Sequence, residues 1–170
     1  MSDDPLMGVP LWYKDIFPQG KFDGFYRKLG NHAANYLKRD PNQLIITFDN
    51  LVEAGGRHYA RDAWATKFIG DNGWSHLSIF AGGPTWFRDQ RLIDYLLNLK
   101  AEGLFRQYAN VALAGMSMGA FGALAFAHLA PGSTLIAFSP QTTLDQSIAP
   151  WDRVGRFLRA FKLRRAAREA

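Results

Sequence analysis

Twenty residues, Asn110 to Leu129, constrain this chain more than any others: Asn-Val-Ala-Leu-Ala-Gly-Met-Ser-Met-Gly-Ala-Phe-Gly-Ala-Leu-Ala-Phe-Ala-His-Leu. A short apolar run, Val111 to Ala114, ends in Gly115-Met116-Ser117-Met118-Gly119, and a small-residue, helix-favouring segment follows at once. The pattern predicts a strand, a sharp turn with a serine at its apex, and a helix. Such a turn strains the backbone at the serine and is sterically open only if the neighbours are small. Gly115 and Gly119 supply that room, and Gly122 lets the helix pack closely.

Gly-x-Ser-x-Gly between a strand and a helix is the nucleophile-elbow motif, and through it the chain resembles the α/β-hydrolase superfamily over roughly residues 40 to 145. The resemblance implies that Ser117 is the nucleophile and that the Met118 N–H is one donor of an oxyanion hole. The second donor would come from the loop after the strand Leu44 to Phe48, near Asn50 or Leu51, although that loop lacks the glycine-rich oxyanion sequence of typical lipases.

The rest of the chain repeats the rhythm of the elbow. Leu44-Ile-Ile-Thr-Phe48, His76-Leu-Ser-Ile-Phe80 and Thr134-Leu-Ile-Ala-Phe138 read as buried strands. They alternate with helical patterns at about 59–71 and at Gln90 to Glu102, each closed by a glycine (Gly73, Gly103). Strands alternating with helices of a dozen residues predict an α/β fold: a mostly parallel central sheet with helices on both faces, incomplete at its C-terminal side. Residues 1–40 read as an aromatic-rich covering segment with an edge strand and a helix around Asn31 to Lys38.

With 170 residues, 48% of them apolar, the chain can bury one substantial core, so one domain is expected over residues 1–150. There is no cysteine, which excludes disulfides and thiolate chemistry. Nothing resembles a metal cluster, a phosphate-cradling loop or a dinucleotide motif, so no cofactor is implied. The acidic opening Met-Ser-Asp-Asp lacks the features of a secretory signal, and no apolar run approaches the ~20 residues of a membrane span, so a cytoplasmic protein is expected.

Charge is concentrated in the last 20 residues. There Arg153, Arg156, Arg159, Lys162, Arg164, Arg165 and Arg168 face only Asp152 and Glu169, which accounts for the whole net charge of +5. This segment, 151–170, reads as a basic helix with Val154, Phe157, Leu158, Phe161 and Leu163 on a partial apolar stripe. It packs on the body, engages an anionic surface such as a membrane or nucleic acid, or is left exposed because something downstream is missing; the sequence leaves the three open.

A serine needs a base, and the base needs an acid to orient it. The superfamily order, nucleophile then acid then histidine, leaves only His128 after Ser117. His128 lies ten residues along the elbow helix, about 15 Å away, and is excluded. His76 opens a strand and belongs to the far edge of the sheet, while His32 reads as a packing or surface residue. His58, after the Leu44 to Phe48 strand, falls on the correct side and is the candidate base, in an unorthodox order. Asp145 is the candidate acid, with Asp49 at a neighbouring strand end. Trp86 and Arg88 also fall on the site side as substrate-binding candidates, Arg88 for an anionic group.

Only 53 residues follow Ser117, too few for the two further strand-helix units that normally deliver acid and histidine. The resulting expectation is a serine hydrolase acting on a small carboxylester or related acyl substrate. The alternative is a non-catalytic binding module of the same fold with an incomplete triad. A third reading assigns the work to the basic tail on a membrane surface or nucleic acid, but the body is neutral and no nucleic-acid motif is present. The open sheet edge predicts a homodimer or aggregation.

Overall fold

A computed structural model describes residues 11–16, 18, 20–54, 61–145, 147 and 148. The chain divides into two compact units, residues 1–140 and 141–170. The first unit is built on one six-stranded sheet: β1 (Gly24–Leu29), β2 (His32–Leu37), β3 (Gln43–Phe48), β4 (Ser75–Ala81), β5 (Asn110–Met116) and β6 (Thr134–Phe138). Its spatial order is β1-β2-β4-β3-β5-β6.

The sheet is mixed, and its polarity follows the spacing of the elements. β1 and β2 form an antiparallel hairpin across Gly30-Asn31, with Leu29 opposite His32, and β2 runs antiparallel to β4. β4, β3, β5 and β6 are parallel; β4, β5 and β6 are each reached through a crossover over a face of the sheet, whereas β3 follows β2 across the short connection 38–42. The carboxyl ends of β3, β4, β5 and β6 therefore share one edge, and the β1–β2 turn lies on that edge as well.

Helices cover both faces: α1 (Leu51–Ala54), α2 (Thr66–Asp71), α3 (Gln90–Ala101) and α4 (Met118–Ala125). On one face Ile69 of α2 packs with Ile45, Ala112 and Ala114. The alternate residues of β3 point the other way, where Phe48 meets α4 at Gly122 and stacks on Phe126. Tyr95 of α3 meets Phe25 of β1 edge-on, at 6.3 Å between ring centres. The Asp89 side chain accepts the Arg91 N–H at 2.9 Å and so starts α3.

Two expected helices differ from what forms. Residues 32–37 form the interior strand β2, buried at all six positions between β1 and β4, rather than a helix. Burial on both faces removes the alternation that would have marked the segment as a strand. The helix expected over 59–71 is shorter: α2 begins at Thr66, while residues 55–60 lie outside the described ones. The basic segment 151–170 also lies outside them.

Candidate active site

Ser117 stands at the apex of the β5-to-α4 turn with φ 54° and ψ −117°, a conformation that side-chain-bearing residues seldom adopt. The strain is held from several directions. The Ser117 N–H donates to the Phe138 carbonyl of β6 at 2.9 Å, and the Ser117 carbonyl accepts from Phe121 at 3.1 Å, beginning α4. A β-carbon on Gly115 would run into the Gly119 backbone, and one on Gly119 would run into the Phe48 carbonyl. The two glycines are thus required by close approach, not by flexibility. At Gly122 an added β-carbon would stand 2.7 Å from a Phe87 ring carbon and 2.8 Å from one of Phe48. Ser117 itself is half-buried at the carboxyl edge of the sheet.

The loop after β3 touches this turn. Gly119, one residue beyond Met118, lies against the Phe48 and Asp49 carbonyls, two residues before Leu51. Asn50 caps α1: its Oδ1 accepts the Val52 N–H at 2.9 Å and the Glu53 N–H at 3.1 Å, while its own N–H donates to Glu53 Oε2 at 3.1 Å. This reciprocal capping box occupies the Asn50 N–H. The N–H groups of Leu51 and Met118, each first in its helix, have no hydrogen-bond partner among the described residues. Of the two, the Met118 N–H directly follows Ser117 at the start of α4, and the Leu51 N–H lies two residues beyond the Asp49 carbonyl that approaches Gly119.

Asp49 is tied into the structure. Only 1% exposed, it accepts Arg61 Nη1 at 3.2 Å, a second bond from Arg61 Nη2, and the Ala81 N–H at 2.7 Å. Burial pushes its carboxyl above the usual carboxylate range, against the pull of Arg61 and of the Ala81 N–H. Arg61 lies over the Phe80 ring, 4.9 Å from its centre. With three accepted hydrogen bonds this carboxylate braces the loop after β3. Neither Arg61 nor the capping box was singled out from the sequence; the Asn50-x-x-Glu53 spacing was the available signal.

The described histidines are placed away from Ser117. His32, fully buried, bonds Thr85 Oγ1 through Nε2 at 2.6 Å. It shares the carboxyl edge, but β2 is separated from β5 by three strand spacings of about 4.8 Å, roughly 14 Å in all. Burial lowers its pKa to about 4. His76 pairs with Leu37 and Ile45 near the start of β4, at the opposite edge, and bonds Thr47 Oγ1 at 2.7 Å; burial lowers its pKa to about 3. His128 sits in the single turn Ala127–Leu129 beyond α4, its Nδ1 3.1 Å from the Ala125 carbonyl. His58 lies outside the described residues.

Asp145 belongs to the second unit, where its Oδ1 accepts the Ser147 N–H at 2.9 Å and the Ser147 hydroxyl at 2.7 Å. Those bonds draw its pKa down. Trp86 and Arg88 lie in the loop after β4. Trp86 is 2% exposed, meets Phe121 of α4 edge-on with ring centres 5.5 Å apart, and its Nε1 is buried without a partner among the described residues. Trp86 and its neighbour Phe87 both have φ near 55°, and Arg88 is exposed. A cleft of about 350 Å³ lies instead at the amino ends of β5 and β6, between Asn110, Arg106 and Thr134.

The fold is α/β, a mixed six-stranded sheet among the described residues with helices on both faces. No family model matches the chain, and no curated protein matches it. Among solved structures it is similar to the capsule O-acetyltransferase of Neisseria meningitidis serogroup A, at 20% identity and a TM-score of 0.52, over 76% of this chain and 55% of that one. A histidine-to-alanine mutant of that enzyme in complex with CoA gives the same identity and TM-score, over 77% and 56%. An esterase of Pyrococcus furiosus superposes with a TM-score of 0.46 at 16% identity, over 76% and 53%. The chain thus spans about half the length of the structures it matches. Among the described residues, no helix is long and apolar enough to cross a membrane.

Proposed function

We propose that this chain is a serine-dependent acyl-transfer enzyme, a serine hydrolase for a carboxylester or related acyl substrate. The observation that carries the reading is the backbone of Ser117, φ 54° and ψ −117°, held between glycines that admit no β-carbon. Strain of this kind costs about 1–3 kcal/mol and persists where the surroundings over-determine it, most often at sites of chemistry. In this reading Ser117 Oγ attacks the acyl carbon as a base takes its proton. The tetrahedral oxyanion is held by the Met118 and Leu51 N–H groups, and the leaving group departs with a proton from the same base. Water then releases the acyl group. An acceptor hydroxyl in place of water would give the transferase outcome, as in the acetyltransferase of similar fold.

The base in this proposal is His58, and the exposed Arg88 serves the substrate. Arg61, whose guanidinium is fixed on Asp49 at the end of β3, stands three residues from His58 in sequence.

A second reading, a non-catalytic module that binds a small molecule or partner, is favoured by one observation: each described histidine is either about 14 Å from Ser117, at the opposite edge of the sheet, or beyond α4. One experiment separates the two. Purified chain is treated with a fluorophosphonate and compared with Ser117→Ala, and labelling is mapped by mass spectrometry. Labelling at Ser117 that is lost in the variant, with a burst on an activated ester, supports the enzyme. A folded chain that takes no label, and turns over no activated ester, supports the module.

A further inference from the structure

The ion pair of buried Asp49 and partly exposed Arg61 sits where the loop after β3 meets the Ser117 turn. Asp49 makes four backbone-fixing contacts: its N–H donates to Ile79 at 3.1 Å, its carboxylate accepts the Ala81 N–H at 2.7 Å, and both oxygens take the Arg61 fork. Arg61 is twelve residues away in sequence, so the pair closes the two ends of one segment on each other. Arg61 is also fixed by the Asp62 carbonyl at 3.2 Å and by the face of Phe80. Immediately downstream, Asn50 and Glu53 cap one another, and the Asn50 carbonyl accepts the Ala54 N–H at 3.0 Å, which fixes the peptide plane between Asn50 and Leu51. On its other side the Asp49 carbonyl would lie 3.0 Å from a β-carbon on Gly119.

We propose that Asp49 and Arg61 are positioning residues, a clamp anchored on the buried Asp49 carboxylate that aims the Leu51 N–H at the space above Ser117. The inference rests on the serine acyl-transfer reading for its chemistry, and on geometry alone for the clamp itself. Such an ion pair adds little net stability over a well-packed apolar pair, but it fixes one arrangement, because Asp49 without Arg61 is an uncompensated buried charge. A bidentate guanidinium–carboxylate fork also resists rotation in a way that a point charge does not. Such a pair at this place governs the direction of a donor, and a misdirected oxyanion donor is nearly as harmful as a missing one.

The test uses the full chain and three variants: Asp49→Asn, which keeps shape and an acceptor for Ala81; Arg61→Met, which keeps bulk; and Arg61→Lys, which keeps charge. Asp49→Ala risks unfolding and is avoided. Amide hydrogen exchange is followed over 49–54 and over β5, and fluorophosphonate labelling is separated into its affinity and its maximal rate. The expectation is that exchange at Leu51–Ala54 rises about tenfold or more in Asp49→Asn and Arg61→Met while β5 is unchanged. The maximal labelling rate falls about 10- to 100-fold with affinity held, and Arg61→Lys recovers part of both. Unchanged exchange at 51–54 in both variants overturns the clamp, whatever the chemistry. Raised exchange with an unchanged labelling rate overturns its role in aiming the donor. A wild-type chain that takes no label overturns the acyl-transfer reading instead, and exchange still decides the clamp.

Discussion

Gly119 lies so close beneath Phe48 that a β-carbon at 119 would run into the Phe48 carbonyl oxygen. The contact joins the first turn of α4 to the last residue of β3, so the Ser117 turn and the loop carrying Leu51 are in register through backbone atoms alone. Gly119→Ala must push these two apart. The expected loss is about 1–3 kcal/mol in urea unfolding, typical of an overpacked core. Labelling of Ser117 by a fluorophosphonate should fall at least tenfold in the folded variant, since the oxyanion donors move with the backbone. A variant as stable and as reactive as wild type would show that the contact does not set the geometry.

Gly122→Ala separates packing from reactivity. Its β-carbon would meet the rings of Phe87 and Phe48 at 2.7 and 2.8 Å, and rings can shift where a carbonyl cannot. Replacing a helix-interior glycine by alanine returns up to about 1 kcal/mol of backbone entropy, which offsets part of the crowding. The expected outcome is a smaller loss of stability than in Gly119→Ala and a labelling rate within a few-fold of wild type. A labelling rate as low as that of Gly119→Ala would place Gly122 in the same geometric unit.

The strain at Ser117 should be measurable as stability. A side-chain-bearing residue at φ 54° and ψ −117° is strained by about 1–3 kcal/mol, and glycine relieves that strain at an entropic cost of about 0.5–1 kcal/mol. Ser117→Gly is therefore expected to be more stable than wild type by roughly 1 kcal/mol while losing all labelling, whereas Ser117→Ala keeps the strain. Thermal unfolding of the three chains side by side checks this. Equal midpoints for the glycine and alanine variants would remove the strain argument from the site.

Acid should weaken the fold through two buried histidines. Burial lowers the pKa of His76 to about 3 and that of His32 to about 4, whereas both titrate near 6.5 in the unfolded chain. Below pH 6.5 the unfolded state binds the protons that the folded state refuses, so stability falls as pH drops toward these folded values. Each histidine contributes up to about 1.4 kcal/mol per pH unit in that window. His76→Gln, which can still bond Thr47, should flatten the dependence between pH 6 and pH 4. Comparison with wild type isolates the histidine from the buried carboxyls of Asp49 and Glu53, whose raised pKa values act in the opposite sense. Parallel pH profiles for the two chains would show that His76 is protonated without loss of the fold.

What the sequence reveals and what it hides follow from range. The run Leu44 to Phe48 and the glycines around Ser117 encode their structure locally, by β-branching and by missing side chains, and the sheet, α3 and the turn were legible there. His32–Leu37 was not. Its Ala33-Ala34 and Leu37 carry a helical bias, and only the neighbours β1 and β4 on either side make it a strand. The Asp49–Arg61 pair was hidden for the same reason: its partners are twelve residues apart with no periodicity linking them. Histidine placement followed from sheet polarity for His76 and from chain length for His128. For His32 the sequence left packing and surface placement open, because its bond to Thr85 spans 53 residues.

The open edge of the sheet is the last testable feature. Among the described residues β6 pairs only with β5, and Leu135, Ile136 and Phe138 are 41%, 41% and 54% exposed. Leu135 and Ile136 point to opposite faces, so both sides of the strand present apolar surface along with an unpaired row of backbone donors and acceptors. An edge of this kind pairs readily with another strand, and a second copy of the same chain can do so about a two-fold axis. Wild-type protein is therefore expected to show concentration-dependent association in sedimentation velocity. Ile136→Lys, which sets a charge on the edge without touching the β5 ladder or the Phe138 carbonyl bonded to Ser117, should shift the population toward monomer. Association that is independent of the Ile136→Lys change would assign the contact to another surface. A wild type that stays monomeric at all concentrations would show that the edge is covered within the single chain.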